Sequence, residues 1–276
     1  MNYQQYRPSG FKLLPPVVKN LLIINGLVFL GTYVLGYTFG FDLVEYFGLY
    51  HWESQYFKPY QFITHLFMHG GFAHILFNMF ALWMFGNVLE NVWGGKRLLT
   101  YYLITGLGAG LIHLLVTSYQ LFSIESAAQT YANAPSIEVF RAFTAEYVPS
   151  IYLGSFQQLI DSWMYDPNNT YYIKNSLSLI DQLIEIKQDI PTVGASGAVF
   201  GLLLAFGMLF PNSVIYIYFA IPIKAKYFVI LYGALELWSG IQNNPADNVA
   251  HFAHLGGMLF GFLLIKYWGR NTSSFY

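Results

Sequence analysis

Residues 191–197 of the chain, PTVGASG, stand where a polar stretch becomes an apolar one. In a sequence that is 55% hydrophobic and only 10% charged, the apolar run from Gly197 to Phe210 predicts a membrane-embedded helix of about 14 residues, roughly 21 Å long. Because the hydrocarbon core of a bilayer is about 30 Å thick, so short a helix among longer neighbours must begin below the membrane surface. Ser196 is therefore expected at a helix N-terminus about 10 Å inside the bilayer. Non-helical backbone at that depth must line a wet cavity or be buried in protein.

The composition is that of an integral membrane protein with one membrane domain. The chain has 276 residues, of which 10% are charged, whereas soluble domains have about 25% charged residues. Its 20% aromatic content suits the belts that form at membrane interfaces. A net charge of −1 argues against a nucleic-acid partner, and the lack of cysteine excludes disulfides, thiolate catalysis and Cys-based metal sites.

The apolar pattern fits six spans, of which the short helix is the fourth: residues 18–39, 71–89, 98–116, 197–210, 226–241 and 249–267. The first apolar run could be a cleaved signal peptide. Its length of about 19 residues exceeds the usual hydrophobic region of such a peptide, so we interpret it as a retained transmembrane helix. Residues 213–219 alternate Tyr and Ile over part of their length, which predicts an interfacial strand or an extended loop.

Positive charge indicates the orientation of these spans. Most of the 13 Lys and Arg residues lie on one side under this count, and most of the 14 Asp and Glu residues lie on the other. The positive-inside rule then places both ends of the chain, residues 1–17 and 268–276, in the cytoplasm. We expect a multi-pass protein of a bacterial cytoplasmic (inner) membrane.

Residues 117–190 differ from the spans in composition, because they are polar and contain acids. Apolar residues recur within them at helical spacing, over 124–147, 155–163 and 171–188. We predict a helical extracytoplasmic insertion between spans three and four. It could cap a cavity, recruit substrate or simply be a long loop.

His254 is expected at a depth close to that of Ser196. It lies about five residues inside the outer end of the sixth span, which is roughly 8 Å deep. Small residues recur every four positions beside both polar groups. They are Gly197, Gly201 and Ala205 on the fourth span, and Gly257 and Gly261 on the sixth. Such stripes let membrane helices approach closely, so the two polar side chains are expected to meet, although the stripes alone could serve packing only.

A serine beside a histidine indicates nucleophilic catalysis. Serine is a weak nucleophile unless an adjacent base takes its proton, and imidazole has the right pKa to do so. We therefore predict a Ser–His dyad. No acid is an obvious third member: Glu236 and Asp247 lie near the outer half of spans five and six, but both could equally be interfacial.

His74 and Asn78 stand at i and i+4 on the second span, so they share one helix face. Two neutral polar side chains aimed at one point could donate to a developing oxyanion. The backbone N–H groups of Ala195 and Ser196, at a helix N-terminus, could donate as well, and Gly194 would give that loop the freedom to aim them. The alternative for His74 and Asn78 is an interhelical hydrogen bond that only holds the bundle together.

Phe200 lies one turn beyond Ser196 and could wall the pocket and pack on the ring of His254, although ordinary core packing would explain it too. Four histidines could instead bind a metal: His69, His74, His251 and His254. No His-Glu-x-x-His or carboxylate-rich pattern accompanies them. No metal site is therefore predicted.

Together these motifs resemble the rhomboid family of intramembrane serine proteases over nearly all of residues 61–267, apart from 117–190. The motifs are His74-x-x-x-Asn78, Gly194-x-Ser196-Gly197 and Ala253-His254-x-x-Gly257-x-x-x-Gly261. Each is weak alone, but the three in this order on these spans are highly specific.

The resemblance implies an all-α, six-transmembrane-helix bundle that needs no cofactor. It implies that Ser196 is the nucleophile and His254 the general base. His74, Asn78 and the backbone at Ala195 and Ser196 would form the oxyanion hole. Substrates would be single-span membrane proteins that enter sideways past span five and are cut near the outer surface.

Two positions depart from the family pattern. Residues 60 and 61 are Tyr and Gln where many members carry Trp-Arg, and Phe200 stands where Tyr is frequent. Two other functions remain open. A non-catalytic relative that binds or guides membrane proteins would need the same fold but no dyad. A small transporter or channel would usually show internal repeats and paired broken helices.

Overall fold

A computed structural model describes residues 10–217, 220–242 and 249–270. Asp247 and parts of the predicted cytoplasmic ends, 1–17 and 268–276, lie outside the described residues. The helices in chain order are α1 (Pro16–Phe39), α2 (Leu43–Phe47), α3 (Gln61–Thr64), α4 (Phe72–Ala81), α5 (Asn87–Trp93), α6 (Gly95–Asn133), α7 (Ile137–Tyr147), α8 (Leu153–Tyr165), α9 (Tyr171–Gln188), α10 (Ser196–Leu209), α11 (Ala225–Gln242) and α12 (His251–Arg270). A 3-10 turn, His65–Phe67, follows α3, and a π turn, Leu82–Gly86, joins α4 to α5.

Three apolar helices in the described part of the chain are long enough to cross a membrane: Pro16–Phe39, Phe72–Trp93 and Gly95–Asn133. The second of these is α4, the π turn and α5 taken together. Helix α10 is a shorter apolar helix of 14 residues, as the sequence predicts. Helices α11 and α12 cover the segments predicted as spans five and six. The protein is therefore a mostly helical membrane protein, and the count of six spans and their orientation stay predictions.

Helix α10 lies at the centre of the bundle, where most of its residues are buried. It packs on α6 at Gly201, where a Cβ atom would lie 2.7 Å from Thr105 Cβ. The buried hydroxyl of Tyr101 on α6 donates a 2.9 Å hydrogen bond to the carbonyl oxygen of Gly201. On its other side, α10 meets α12 so closely that a Cβ atom at Gly257 would overlap the carbonyl oxygen of Gly197. The small-residue stripes therefore form the seams between the helices.

Helix α6 continues through residue 117, where the insertion is predicted to start. It is one continuous helix of 39 residues, Gly95–Asn133, and so is roughly 58 Å long. Residues 111–133 contain no Gly or Pro to end the helix. Leu121, Ile124 and Tyr131 continue a buried face along it. The chain therefore leaves the third predicted span as an uninterrupted helix.

Helices α7, α8 and α9 pack against the outer part of α6 around a second hydrophobic core. Phe140 stacks on Phe156 with ring centroids 5.6 Å apart, and Trp163 lies beside them. The hydroxyl groups of Tyr131 on α6 and Ser176 on α9 are hydrogen-bonded. The region between α6 and α10 is thus a packed helical unit rather than a loop, while its place outside the membrane stays a prediction.

A two-stranded antiparallel hairpin interrupts the all-helical pattern between α10 and α11. Strand β1 (Val214–Ile217) pairs with β2 (Ile221–Lys224), and Val214 lies opposite Lys224. The alternation that predicted a strand or an extended loop over 213–219 therefore forms a strand over its described part.

Glu90 connects α5 to the beginning of α1. Its carboxylate is buried and accepts hydrogen bonds from the backbone N–H groups of Val17, at 2.9 Å, and Val18, at 2.8 Å. A helix N-terminus leaves such groups without partners inside the helix and favours negative charge. The acid that directly follows the second predicted span is therefore explained as the cap of the first helix.

The variant Glu90→Ala is expected to lower the free energy of unfolding by about 2 kcal/mol, because two buried N–H groups lose a charged acceptor. Thermal unfolding in detergent micelles would measure this loss. The matched control is Glu146→Ala, which removes an exposed acid on α7. Equal melting temperatures for the two variants would show that the carboxylate does not hold α1.

Candidate active site

The loop before α10 is fixed to the first part of the chain by backbone hydrogen bonds. Leu49 and Thr192 form an isolated antiparallel bridge, with N–O distances of 2.9 and 2.8 Å. The N–H group of Gly194 donates to the carbonyl oxygen of His65 at 2.9 Å. These bonds hold the turn from which α10 begins at Ser196.

Gly194 has a backbone conformation that side chains rarely adopt, with φ of +123°. A Cβ atom there would lie 2.8 Å from Cε1 and Nε2 of His74 and 3.6 Å from Oγ of Ser196. Glycine is therefore required both by the backbone angle and by the close approach of the histidine ring. The space beside Gly194 is where the serine hydroxyl and His74 come together.

Helix α4 carries His74, whose ring lies beside Gly194, and Asn78 one turn further along the helix. The N–H group of Gly70 donates to Nδ1 of His74 at 3.4 Å, a long bond that favours the proton on Nε2. Asn78 is 6% exposed, and its Nδ2 has no hydrogen-bond partner within the described residues. An unpartnered buried donor is uncommon in a folded protein and calls for an explanation.

His69 was not among the residues that the sequence singled out for this site. Its ring centroid lies 5.1 Å from that of His74, and both of its ring nitrogens are buried without a hydrogen-bond partner in the described part of the chain. Its position five residues before His74 was the available signal, but an irregular segment separates the two, so helical spacing could not place them together. His69 adds a third imidazole or amide side chain with unused polar atoms to this pocket.

The seam between α10 and α12 places His254 beside the first turn of α10. Gly197 faces Ala253, whose carbonyl oxygen would lie 3.3 Å from a Cβ atom at Gly197. The ring of His254 stacks on Phe200, with centroids 4.1 Å apart and planes only 6° apart. Among the described residues, no hydrogen bond joins Ser196 to His254. Hydrogen bonds between catalytic groups are often long before substrate binds.

Glu236 on α11 contacts the other side of His254. Its carboxylate oxygen Oε2 accepts from Nδ1 of His254 at 2.8 Å and from Nδ1 of His251 at 2.7 Å. The sequence left open whether Glu236 is a third member of the site or an interfacial residue, and in the structure it is only 6% exposed. The available signal was an acid within an apolar helix, which is costly unless it is paired.

These three side chains are also a possible ligand set for a metal ion. Their ligand atoms lie within 4.8 Å of one another, and two imidazoles with a carboxylate are common zinc ligands. Each Nδ1 already has a carboxylate oxygen within hydrogen-bond distance, so the cluster is internally paired without a cation. The other two histidines considered for a metal, His69 and His74, pack against each other and are not part of this cluster.

Gln61 shows how this chain organises its first loop without the Trp-Arg pair. Its buried side chain accepts a 3.0 Å hydrogen bond from the N–H group of Lys58 and donates to the carbonyl oxygens of Tyr46 and Tyr56 at 3.3 and 3.0 Å. A single amide therefore ties together backbone groups from both ends of residues 46–58.

A family model described as the rhomboid domain matches residues 56–129 and 140–271 of the chain. The chain belongs to the rhomboid family. This match confirms the resemblance seen in the three motifs. It covers both sides of the site, including the segments that carry His74, Ser196 and His254.

Similar proteins extend the family match to organelles and bacteria. An uncharacterized mitochondrial rhomboid protein of Schizosaccharomyces pombe is 28% identical over 76% of this chain and 52% of its own length. The mitochondrial RHOMBOID-like protein 12 of Arabidopsis thaliana is 26% identical over 71% of the chain and 42% of its own length. Rhomboid protease GluP of Bacillus subtilis is 32% identical over 22% of the chain and 12% of its own length. The chain spans about half or less of the length of these relatives.

Proposed function

We propose that this rhomboid is an intramembrane serine endopeptidase in which Ser196 is the nucleophile and His254 the general base. The observation that carries the proposal is the seam at Gly197 and Gly257, which brings His254 against the first turn of a short buried helix that begins at Ser196. A buried imidazole beside a serine at a helix N-terminus is an arrangement suited to acyl transfer. Membership of a family that includes a protein named as a protease supports it.

The acylation half of the proposed reaction proceeds by two proton transfers. Nε2 of His254 takes the proton of Ser196 as Oγ attacks the scissile carbonyl carbon, and the carbonyl oxygen becomes an oxyanion. The imidazolium then gives its proton to the leaving amine as the carbon–nitrogen bond breaks, which leaves an acyl ester on Ser196. A water molecule, activated by the same imidazole, hydrolyses the ester and restores the serine hydroxyl.

The oxyanion would be stabilised from two directions. Asn78 Nδ2 has no hydrogen-bond partner among the residues that the structure describes, and Nε2 of His74 lies beside Gly194. The backbone N–H groups at Ser196 and Ala195 belong to the start of α10, where first-turn donors lack partners within the helix. Donors held in place before the reaction stabilise developing charge without reorganising, which lowers the barrier.

The proposed substrates are single-span membrane proteins in a lipid bilayer. A six-span bundle with both termini in the cytoplasm would admit a substrate helix from the side, past α11, and cut it near the outer surface. Peptide bonds in a helix are protected because their carbonyl groups are hydrogen-bonded, so sites with small residues and nearby Gly or Pro should be preferred. The relatives' names include mitochondrial, chloroplastic and bacterial proteins, and they do not support the expected bacterial inner membrane over an organelle membrane.

The proposal is tested by covalent labelling together with cleavage. The purified protein in proteoliposomes is expected to cut a model transmembrane substrate and to react with a fluorophosphonate probe, with mass spectrometry placing the probe on Ser196. EDTA should leave the cleavage rate unchanged. Absence of both cleavage and labelling would favour the non-catalytic alternative, which needs the same bundle but no reactive serine. Cleavage that EDTA abolishes would contradict the serine mechanism.

A further inference from the structure

Glu236 is a buried carboxylate in a helix that is mostly apolar. It lies on α11, Ala225–Gln242, and is 6% exposed. A charge at such a position is expensive unless it is paired and hydrogen-bonded. Its pairing is therefore the first clue to its role, and both hydrogen bonds recorded for its carboxylate come from histidines of α12.

The bond from His254 determines which ring nitrogen carries the proton. Carboxylate oxygens only accept hydrogen bonds, so Nδ1 of His254, at 2.8 Å from Oε2, must be the donor. In a neutral imidazole the second nitrogen is then unprotonated. Glu236 thus leaves Nε2 of His254 as the basic nitrogen, which is the form that a general base needs.

The orientation of the same ring is limited by a second contact. Phe200 stacks on one face of the His254 ring, with planes 6° apart. The hydrogen bond to Glu236 resists rotation within the ring plane, and the stacking resists tilting out of it. Rings held by two independent contacts keep a reactive atom in place, which is what proton transfer at close range requires.

We propose that Glu236 is a positioning residue that holds His254 in its Nδ1–H tautomer, so that this rhomboid uses a Ser196–His254–Glu236 triad rather than a dyad. The inference rests on the proposed function of Ser196 and His254. Glu236 lies on a third helix, α11. This helix packs closely on α12, since a Cβ atom at Gly240 would lie 3.0 Å from the ring of Phe252.

His251 has a distinct part in this arrangement. Nδ1 of His251 donates to the same oxygen of Glu236 at 2.7 Å. His251 therefore stabilises the carboxylate, but it is not the ring that stacks on Phe200. The variant His251→Gln should therefore lower kcat by less than about tenfold, because Glu236 still accepts from His254. A larger effect than that of Glu236→Gln would place the controlling contact at His251 instead.

The main experiment compares Glu236→Gln with Glu236→Asp. The amide can donate to Nδ1 and so favours the wrong tautomer. It is expected to lower kcat about 10²- to 10⁴-fold with KM little changed, whereas the aspartate keeps the charge and should restore at least about tenfold of that loss. The matched control is Asp181→Asn, which converts an exposed acid of α9 to its amide. Thermal unfolding of all variants shows whether they fold.

A second measurement is independent of activity. Nitrogen-15 NMR of histidine-labelled protein, with His254 assigned by its absence from His254→Gln, reports which ring nitrogen carries the proton. Wild type is expected to show the Nδ1–H form and Glu236→Gln a shift toward Nε2–H. The tautomer is observable even in an inactive protein, so failure of the proposed protease activity and failure of the positioning role are distinguishable.

Two results would overturn the role of Glu236. One is a folded Glu236→Gln protein with kcat within threefold of wild type and an unchanged tautomer. The other is loss of activity on chelation with full recovery on adding Zn²⁺, which would assign Glu236, His251 and His254 to a metal instead.

Discussion

The variant Ser196→Ala is expected to abolish cleavage of a transmembrane substrate, with kcat falling about 10⁶-fold. Removal of the hydroxyl leaves no atom to attack the carbonyl carbon, and no other group in the described pocket is a comparable nucleophile. His74, Asn78 and His254 would still provide donors and a base, but these groups alone give only a small residual rate. Cleavage is measured in proteoliposomes with a fluorescent substrate whose single transmembrane helix contains Gly or Pro near the cut.

The control for this variant is Ser178→Ala, which removes an exposed serine on α9. It should retain both cleavage and labelling by the fluorophosphonate. Ser196→Ala should keep the melting temperature of the wild type, because Ser196 is only partly buried and begins a helix rather than filling a core. Cleavage by Ser196→Ala at more than about a tenth of the wild-type rate would show that another residue is the nucleophile.

The variant Gly257→Val is expected to lower the free energy of unfolding by more than about 4 kcal/mol. Even a Cβ atom at this position would overlap the carbonyl oxygen of Gly197, which is backbone and cannot move aside as a flexible side chain would. Helices α10 and α12 would have to separate, and His254 would leave the first turn of α10. Steric trapping or thermal unfolding in micelles measures the loss of stability, and the cleavage assay measures the loss of activity.

Gly26→Val is the matched control, because Gly26 lies within α1 and a Cβ atom there meets nothing within 4 Å. Its effect should stay below about 1 kcal/mol, which is the range of helix-propensity differences. If Gly257→Val were as stable and as active as this control, the seam would not be the contact that unites the site.

The helices around the site could be predicted because their boundaries depend on local features. The start of α10 follows from a polar loop that ends in Gly194 and Ser196, and α11 and α12 begin within two residues of the predicted spans. The end of α6 could not be predicted in the same way. Its outer half is polar on one face and buried on the other, because α9 covers it, and that cover is tertiary information.

The candidate site shows the same division. The depths of Ser196 and His254 could be counted along single helices, and His74 lies beside Gly194 in the loop before Ser196. Glu236 could not be connected to His254 from the sequence, because the contact joins two helices and the intervening residues say nothing of their rotation. The role of each of these residues stays a proposal until the variants are measured.

The length of α6 has a mechanical consequence. One end of this rod packs on α10 at Gly201 and on α12, and the other end carries the aromatic cluster formed with α7, α8 and α9. Residues 111–133 are continuously helical and contain no Gly or Pro, so the two ends are expected to move together. Tilting of α7, α8 and α9 by a partner or a lipid surface would therefore also move the part of α6 that packs against α10 at Gly201.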